Sequence, residues 1–99
     1  MTNFNLLPSG VRPKFPLGTL ALTAEAFRRL PFEDVSAALS RHSQCDWGDV
    51  CAEDKDANES AIRDGLRLFS VYHASDGMKF WIITEADRRA STVLLPDDY

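Results

Sequence analysis

The run from Leu66 to Pro96 constrains the fold more than any other part of this 99-residue chain. Here the apolar residues change from helical spacing to alternation. "LRLFSVYHA" and "KFWIIT" are rich in β-branched and aromatic side chains and are separated by "SDGM". Such runs around an Asp-Gly pair predict an antiparallel hairpin, because Asp76-Gly77 suits a two-residue type I′ turn. Ser75 then stands opposite Met78, which pairs His73 with Phe80, Tyr72 with Trp81, Val71 with Ile82 and Phe69 with Thr84. That register places Phe69, Val71, His73, Phe80 and Ile82 on one face and Leu68, Ser70, Tyr72, Trp81 and Ile83 on the other. In a small domain helices cover one face of a sheet, and Phe69, Val71, Phe80 and Ile82 are expected inward. Tyr72 and Trp81 then form a partly exposed aromatic platform of the kind found at interfaces, unless the N-terminal arm folds over it. "ASTVLLP" supplies a third strand, giving a β-meander, and Thr84 with Asp87 has the spacing of a capping box for one helical turn between the strands.

Upstream, residues 1–16 carry three of the five prolines and a Pro-Ser-Gly turn, and read as an irregular arm on which Phe4, Leu6 and Leu7 are apolar docking points. Residues 17–99 form the single domain. "LGTLALT" is a short strand or a loop into a helix. Thr23 suits an N-cap for "AEAFRRL", with Glu25 in the first turn, and Pro31 interrupts that helix. A second helix begins near Phe32, places Phe32, Val35 and Leu39 on one face, and frays between Ser40 and Ser43. "CDWGDVC" connects to a third helix, capped near Asp54, with Ala57, Ala61 and Ile62 inward and Gly65 as its stop. The predicted architecture is α+β: two or three short helices packed on a three- to four-stranded antiparallel sheet.

Composition narrows the chemistry. Fifteen acidic side chains against eleven basic ones give a formal charge of −4, which disfavours direct binding of nucleic acid, since that requires cations to displace counterions from phosphates. No apolar run approaches the length of a membrane span, and the N-terminus lacks the charged-then-apolar order of a secretory signal. A cytoplasmic protein with reduced cysteines is expected. No cofactor is implied.

The stretch "CDWGDVCAEDKDANESAI" concentrates six carboxylates, Asp46, Asp49, Glu53, Asp54, Asp56 and Glu59, with two thiols and Trp47. As a metal site it would use His42, Cys45 and Cys51, with Asp46 or Asp49 as fourth ligand. The spacing is looser than structural zinc requires, and the acids do not match a calcium loop, so no metal is assigned. A catalytic cysteine paired with His42 or His73 is disfavoured, because the surrounding carboxylates oppose a thiolate. A ribonuclease layout is better populated: helices before a meander, with His73, Glu85, Arg88, Thr92 and Tyr99 as acid–base and phosphate-binding candidates, resemble barnase-like and ribosome-dependent ribonuclease toxins. Against it stand the acidic charge and the placement of Arg88 and Arg89 in a turn, where a solvated role is ordinary. The remaining reading makes the acids the device, a rigid negative surface for a partner, although a charge run is most often a solvated helix face.

"DWGDVCAEDKDANESAIRDG", "LFSVY" and "KFWIITEADRRASTVLLPDDY" together resemble a group of small proteobacterial proteins of plasmids and other mobile elements, over residues 15 to 99. The segments Asp46-Trp47-Gly48-Asp49 and Trp81-Ile82-Ile83-Thr84-Glu85 carry the resemblance. Some members bear a type I restriction methylase label, which this chain contradicts, being too short for a nucleotide-fold methylase and lacking a glycine-rich cofactor loop. The resemblance implies a setting in which small acidic proteins disable host defence, as anti-CRISPR and anti-restriction proteins do. The expectation is a non-enzymatic protein, monomer or homodimer, that inhibits a nucleic-acid-handling complex by presenting a nucleic-acid-like surface to a basic protein groove. Its contacts would be Asp46, Asp49, Glu53, Asp54, Asp56 and Glu59, with Trp47, Tyr72 and Trp81. The alternative is the ribonuclease using His73, Arg88 and Tyr99.

Overall fold

Thr23 behaves as its neighbours predict. In the computed structural model, which describes residues 7–99, its backbone is extended (φ −64°, ψ 159°) and its hydroxyl accepts the Ala26 N–H, opening helix α1 (Ala24–Arg29). Pro31 separates α1 from α2 (Phe32–Ser43), whose first turn carries Glu33 and Asp34 toward the positive end of the helix dipole. The expected fraying between Ser40 and Ser43 does not occur, because both His42 and Ser43 are buried, His42 bonded to the sheet hydroxyls of Ser70 and Thr84 and the Ser43 carbonyl accepting the Lys14 N–H. Helix α3 (Ala52–Asp64) closes at Gly65 as predicted, but Cys51 rather than Asp54 is its N-cap, and Cys51 makes no side-chain capping bond.

These helices accompany a four-stranded sheet ordered β1-β4-β3-β2, with β1 at Thr19–Leu22, β2 at Leu68–His73, β3 at Lys79–Thr84 and β4 at Ala90–Leu94. The meander of β2, β3 and β4 is antiparallel as expected, whereas β1 pairs parallel with β4, so the sheet is mixed. The β3–β4 connection holds no helical turn; Asp87 accepts the Arg89 N–H and Arg88 adopts a positive φ of 61°. A single 3-10 turn, Pro96–Asp98, follows β4.

The hairpin register differs from the sequence expectation by one residue. Ala74 donates to the Met78 carbonyl and Gly77 to that of Ala74, both at 2.8 Å, so the loop has three residues, Ser75 to Gly77. Gly77, at φ +92°, closes it where an L side chain is strained. His73 therefore pairs with Lys79, Tyr72 with Phe80, Val71 with Trp81, Ser70 with Ile82, Phe69 with Ile83 and Leu68 with Thr84. A one-residue slip exchanges the two faces of one strand relative to its neighbour. Leu68, Ser70 and Tyr72 consequently join Phe80, Ile82 and Thr84 on the helix-covered face, while Phe69, Val71, Trp81 and Ile83 share the other. The expected Tyr72–Trp81 platform does not exist, since the two rings lie on opposite faces.

The covered face packs Tyr72, Phe80, Ile82 and Val93 against Ala26 of α1, Leu30 at its C-cap, and Val35, Ala38 and Leu39 of α2. Burial of each large side chain there contributes about 1.5–3 kcal/mol. Phe32 was expected on the buried face of α2 but is 47% exposed. A second cluster joins Phe15, Leu17, Trp47, Ala61 and Leu68. Phe15 thus seats the irregular segment before β1, helped by the Lys14 N–H on the Ser43 carbonyl at 2.8 Å and Gln44 Nε2 on the Arg12 carbonyl at 2.7 Å. Leu7 packs against both clusters. The docking expected of Phe4 and Leu6 lies outside the described residues.

The outer edge of β2 is closed by the chain itself. Val71 donates to the Trp47 carbonyl at 3.1 Å, and Asp49 donates to that of Val71 at 2.8 Å. Between them Gly48 (φ +72°) passes so close that a Cβ would lie 2.0 Å from the Val71 oxygen and 2.8 Å from the Tyr72 ring. The Asp-Trp-Gly-Asp segment is therefore an edge plug that only glycine permits at its centre. Next to it, Asn58 of α3 imitates a neighbouring strand, donating to the Phe69 carbonyl at 2.7 Å and accepting the Phe69 N–H at 3.0 Å.

Candidate functional site

Asn58 and Ala61, three residues apart, are the buried residues of α3; Ala57, expected inward, is exposed, and Ile62 is half-buried. Anchored on that line, the helix presents Glu53, Asp54, Asp56 and Glu59 to solvent. At 100° per residue Glu53, Asp56 and Glu59 fan around the exposed part of the helix, whereas Asp54, one turn before Asn58, continues the anchored line into the exposed first turn. None makes an ion pair with a lysine or arginine among the described residues. Cys51 interacts with the Glu53 carboxylate, and the Glu53 backbone N–H is the first cause holding that carboxyl below its usual range.

The two acids of the preceding loop are engaged differently. Asp46 accepts Arg41 Nε at 2.7 Å and Nη2 at 3.1 Å, and its carboxyl is held below the usual carboxylate range first by that contact. It also accepts the Gly48 N–H, bracing the edge plug. Asp49 meets His73 Nδ1 at 2.8 Å. All six expected acids are exposed; the four on α3 have no lysine or arginine partner among the described residues, whereas Asp46 and Asp49 are engaged by Arg41 and His73.

Of the three aromatic contacts expected, one remains in place. Trp47 is 3% exposed and belongs to the core. Tyr72 is 2% exposed, and its hydroxyl donates to the Asp46 carbonyl; burial pushes its phenol pKa up. Trp81 is half-buried on the outer face, with its ring edge-on to Phe69 at 5.1 Å and to Tyr99 at 5.7 Å. These rings border a cleft of about 350 Å³ between α3 and the sheet, with Phe69, Trp81 and Ile83 on the sheet side and Asp54, Arg67 and Tyr99 at its rim. Asp54 therefore joins the acidic helix to an aromatic cleft, a junction visible only once the register is known. Arg67 lies over the Tyr99 ring at 5.6 Å.

His42, the central residue of the metal reading, is 0% exposed and holds two hydroxyls. Nδ1 lies 2.6 Å from Ser70 Oγ and Nε2 lies 2.8 Å from Thr84 Oγ1. Thr84 Oγ1 is 2.7 Å from Ser91 Oγ, which donates to the Leu17 carbonyl at 2.7 Å. A carbonyl only accepts, so the proton order follows from that end. Ser91 spends its hydrogen on Leu17, Thr84 on Ser91, and His42 donates from Nε2 to Thr84, leaving Nδ1 to accept from Ser70. The ring is a neutral Nε2–H tautomer, and burial, assisted by the charge of Arg88, lowers its pKa to about 3. Neither nitrogen is left for a metal. Among the described residues no group of three or more His, Cys, Asp or Glu is arranged to hold an ion.

Both thiols are held above the usual thiol pKa, which disfavours the thiolate. Burial raises the Cys45 pKa, with Glu59 adding to it and Lys14 opposing. At Cys51 the Asp54 backbone N–H favours the thiolate, but desolvation and the carboxylates of Glu53 and Asp54 outweigh it, and the pKa is raised.

The ribonuclease residues are not brought together. His73 lies at the β2–β3 end of the hairpin and Glu85 and Arg88 at the β3–β4 end, separated by the six residues of β3, about 20 Å of extended chain. Thr92 faces outward beside Ile83, and Tyr99 stacks at the cleft. Arg88 is committed internally: Nη1 donates to the carbonyls of Leu66 at 2.6 Å and Glu85 at 3.1 Å, and Nη2 to that of Ala61 at 3.1 Å. It fastens the C-terminal end of α3 to the β3–β4 turn, a role with no signal in the sequence.

No protein-family model matches this chain, and neither a curated protein nor a solved structure matches it significantly.

Proposed function

We propose that this chain is a non-enzymatic binding protein that inhibits a nucleic-acid-handling complex of host defence by occupying a basic surface built for phosphates. The observation that carries the reading is the junction at Asp54: α3 exposes four carboxylates without lysine or arginine partners among the described residues, and one of them, Asp54, lines the cleft containing Trp81. A helix face that is merely solvated does not require a half-buried tryptophan beside it, whereas aromatic anchors surrounded by charge are typical of interfaces. The fan of Glu53, Asp56 and Glu59 supplies the steering field and Trp81 a desolvated contact. Asn58 and Arg88 hold α3 at its middle and its C-terminal end, so the carboxylates are presented on a stiff support at little cost in ordering on binding.

Asp46 and Asp49 belong to the support in this reading, and Trp47 and Tyr72 to the core. Action inside the cell accompanies the proposal; no helix of the described residues is long and apolar enough to cross a membrane. The test is plasmid or phage transfer into hosts bearing restriction or CRISPR systems. Expression of the chain is expected to restore transfer against one of them, and Asp54→Lys with Asp56→Lys and Glu59→Lys is expected to abolish that protection with an unchanged circular dichroism spectrum. Full protection by the triple variant would refute the proposed surface.

A further inference from the structure

The two edges of the sheet are treated in opposite ways. On β2, backbone groups of Trp47 and Asp49 and the side chain of Asn58 occupy the outward positions. On β1 the register with β4, together with the donation of Thr19 to Arg89 and of Thr23 to Val93, turns residues 19, 21 and 23 toward β4. The N–H and C=O groups of Leu20 and Leu22 accordingly point away from the sheet, with no partner among the described residues. An edge left open in a monomer usually carries a charge, a proline or a bulge against strand addition. β1 reads Thr-Leu-Ala-Leu and carries none of these. Beside it runs an apolar groove of about 750 Å³, lined by Leu20, Leu22, Phe27, Leu30 and Val35 among others, and Phe27 is 69% exposed.

We infer that a second copy of this chain covers this edge, with β1 pairing antiparallel to β1 of the partner subunit about a two-fold axis at Ala21. The pattern is self-complementary. Centring the axis on Ala21 places Leu20 opposite Leu22 of the partner subunit and Leu22 opposite Leu20 of the partner subunit. The outward donors and acceptors of both residues then close two hydrogen-bonded pairs, and Ala21 meets its counterpart in the intervening non-hydrogen-bonded position. Leu20 and Leu22 of both copies lie on the face that carries the groove, so the same symmetry that satisfies the backbone brings the apolar surfaces together. Thr19 and Ala21, uncharged and exposed, present no repulsion on the opposite face. A closed two-fold interface leaves no open edge at β1 and gives one sheet of eight strands. The dimer is independent of the acidic-surface reading, since α3 flanks the other edge.

Position 21 supplies a test that spares the core. In a Cys45→Ser, Cys51→Ser background, Ala21→Cys places two thiols across the axis at a Cα separation of about 4.5 Å, within the range a disulfide spans. Mild oxidation is expected to give a covalent dimer, with Thr19→Cys as the poorly linked control. The unmodified chain is expected to sediment as a dimer at micromolar concentration, with slowly exchanging Leu20 and Leu22 amides. Ala21→Asp is expected to shift the equilibrium roughly tenfold or more toward monomer by opposing two carboxylates. A monomer at those concentrations, or a dimer indifferent to Ala21→Asp, overturns the inference. So does slow exchange of those amides in a monomer that is lost on removing residues 1–6.

Discussion

Acidification should unfold this protein through His42 before its carboxylates are protonated. The folded ring has a pKa of about 3, against about 6.5 for an unfolded histidine. Between those values the unfolded chain binds a proton that the folded chain refuses, so stability falls as pH falls through that window and is fully present above it. Each pH unit below 6.5 costs about 1.4 kcal/mol, which reaches about 2.7 kcal/mol at pH 4.5 and is a large share of a small domain's stability. Asp46 and Asp98, whose carboxyls are held low by Arg41 and Thr23 respectively, stabilise the fold above the unfolded Asp value of about 3.9 and lose that contribution only below it. The interval from pH 6.5 to 5 therefore precedes theirs. The assay is urea unfolding at half-unit pH steps for the wild type and His42→Gln, which keeps one donor and one acceptor but does not titrate. The variant is expected to be less stable at pH 7 and to lack the His42 slope, so that the two curves converge by about 1.4 kcal/mol per pH unit. Parallel curves would show that the imidazole accepts a proton in the folded state and would refute the directional hydroxyl chain.

Two further substitutions test the supports of the acidic helix. Asn58→Ala removes both bonds to the Phe69 backbone and is expected to cost about 1–3 kcal/mol in urea unfolding, with faster amide exchange at Phe69. Arg88→Ala frees the carbonyls of Ala61 and Leu66 and is expected to cost about 1.5–3 kcal/mol, read as a lowered Tm; an unchanged Tm would mean that solvent replaces the guanidinium without loss.

The elements were largely legible because their signals are local. Thr23, Pro31 and Gly65 mark helix boundaries through capping and missing donors, and alternation marks the strands. Register was not legible, because Asp-Gly suits both a two-residue turn and the end of a three-residue loop, and nothing local distinguishes them. That one residue decided whether Tyr72 was a contact or core, and it concealed the Trp81 cleft. The role of His42 had a trace in the sequence: Ser70, Thr84 and Ser91 interrupt otherwise apolar strands, and in the observed register all three share its face. Arg88 left none, since its acceptors are backbone carbonyls set by the fold. The exposure of Glu53, Asp54, Asp56 and Glu59 was legible from charge density alone, whereas the engagement of Asp46 and Asp49 followed from loop geometry.

The proposed competition with nucleic acid is tested most directly by fluorescence anisotropy of a labelled duplex bound to the defence complex against which the chain protects. Wild-type protein is expected to displace the duplex, at concentrations that rise with added salt, while the Asp54→Lys, Asp56→Lys, Glu59→Lys variant leaves it bound. Equal displacement by that variant, or binding of the chain without release of the duplex, would contradict the account.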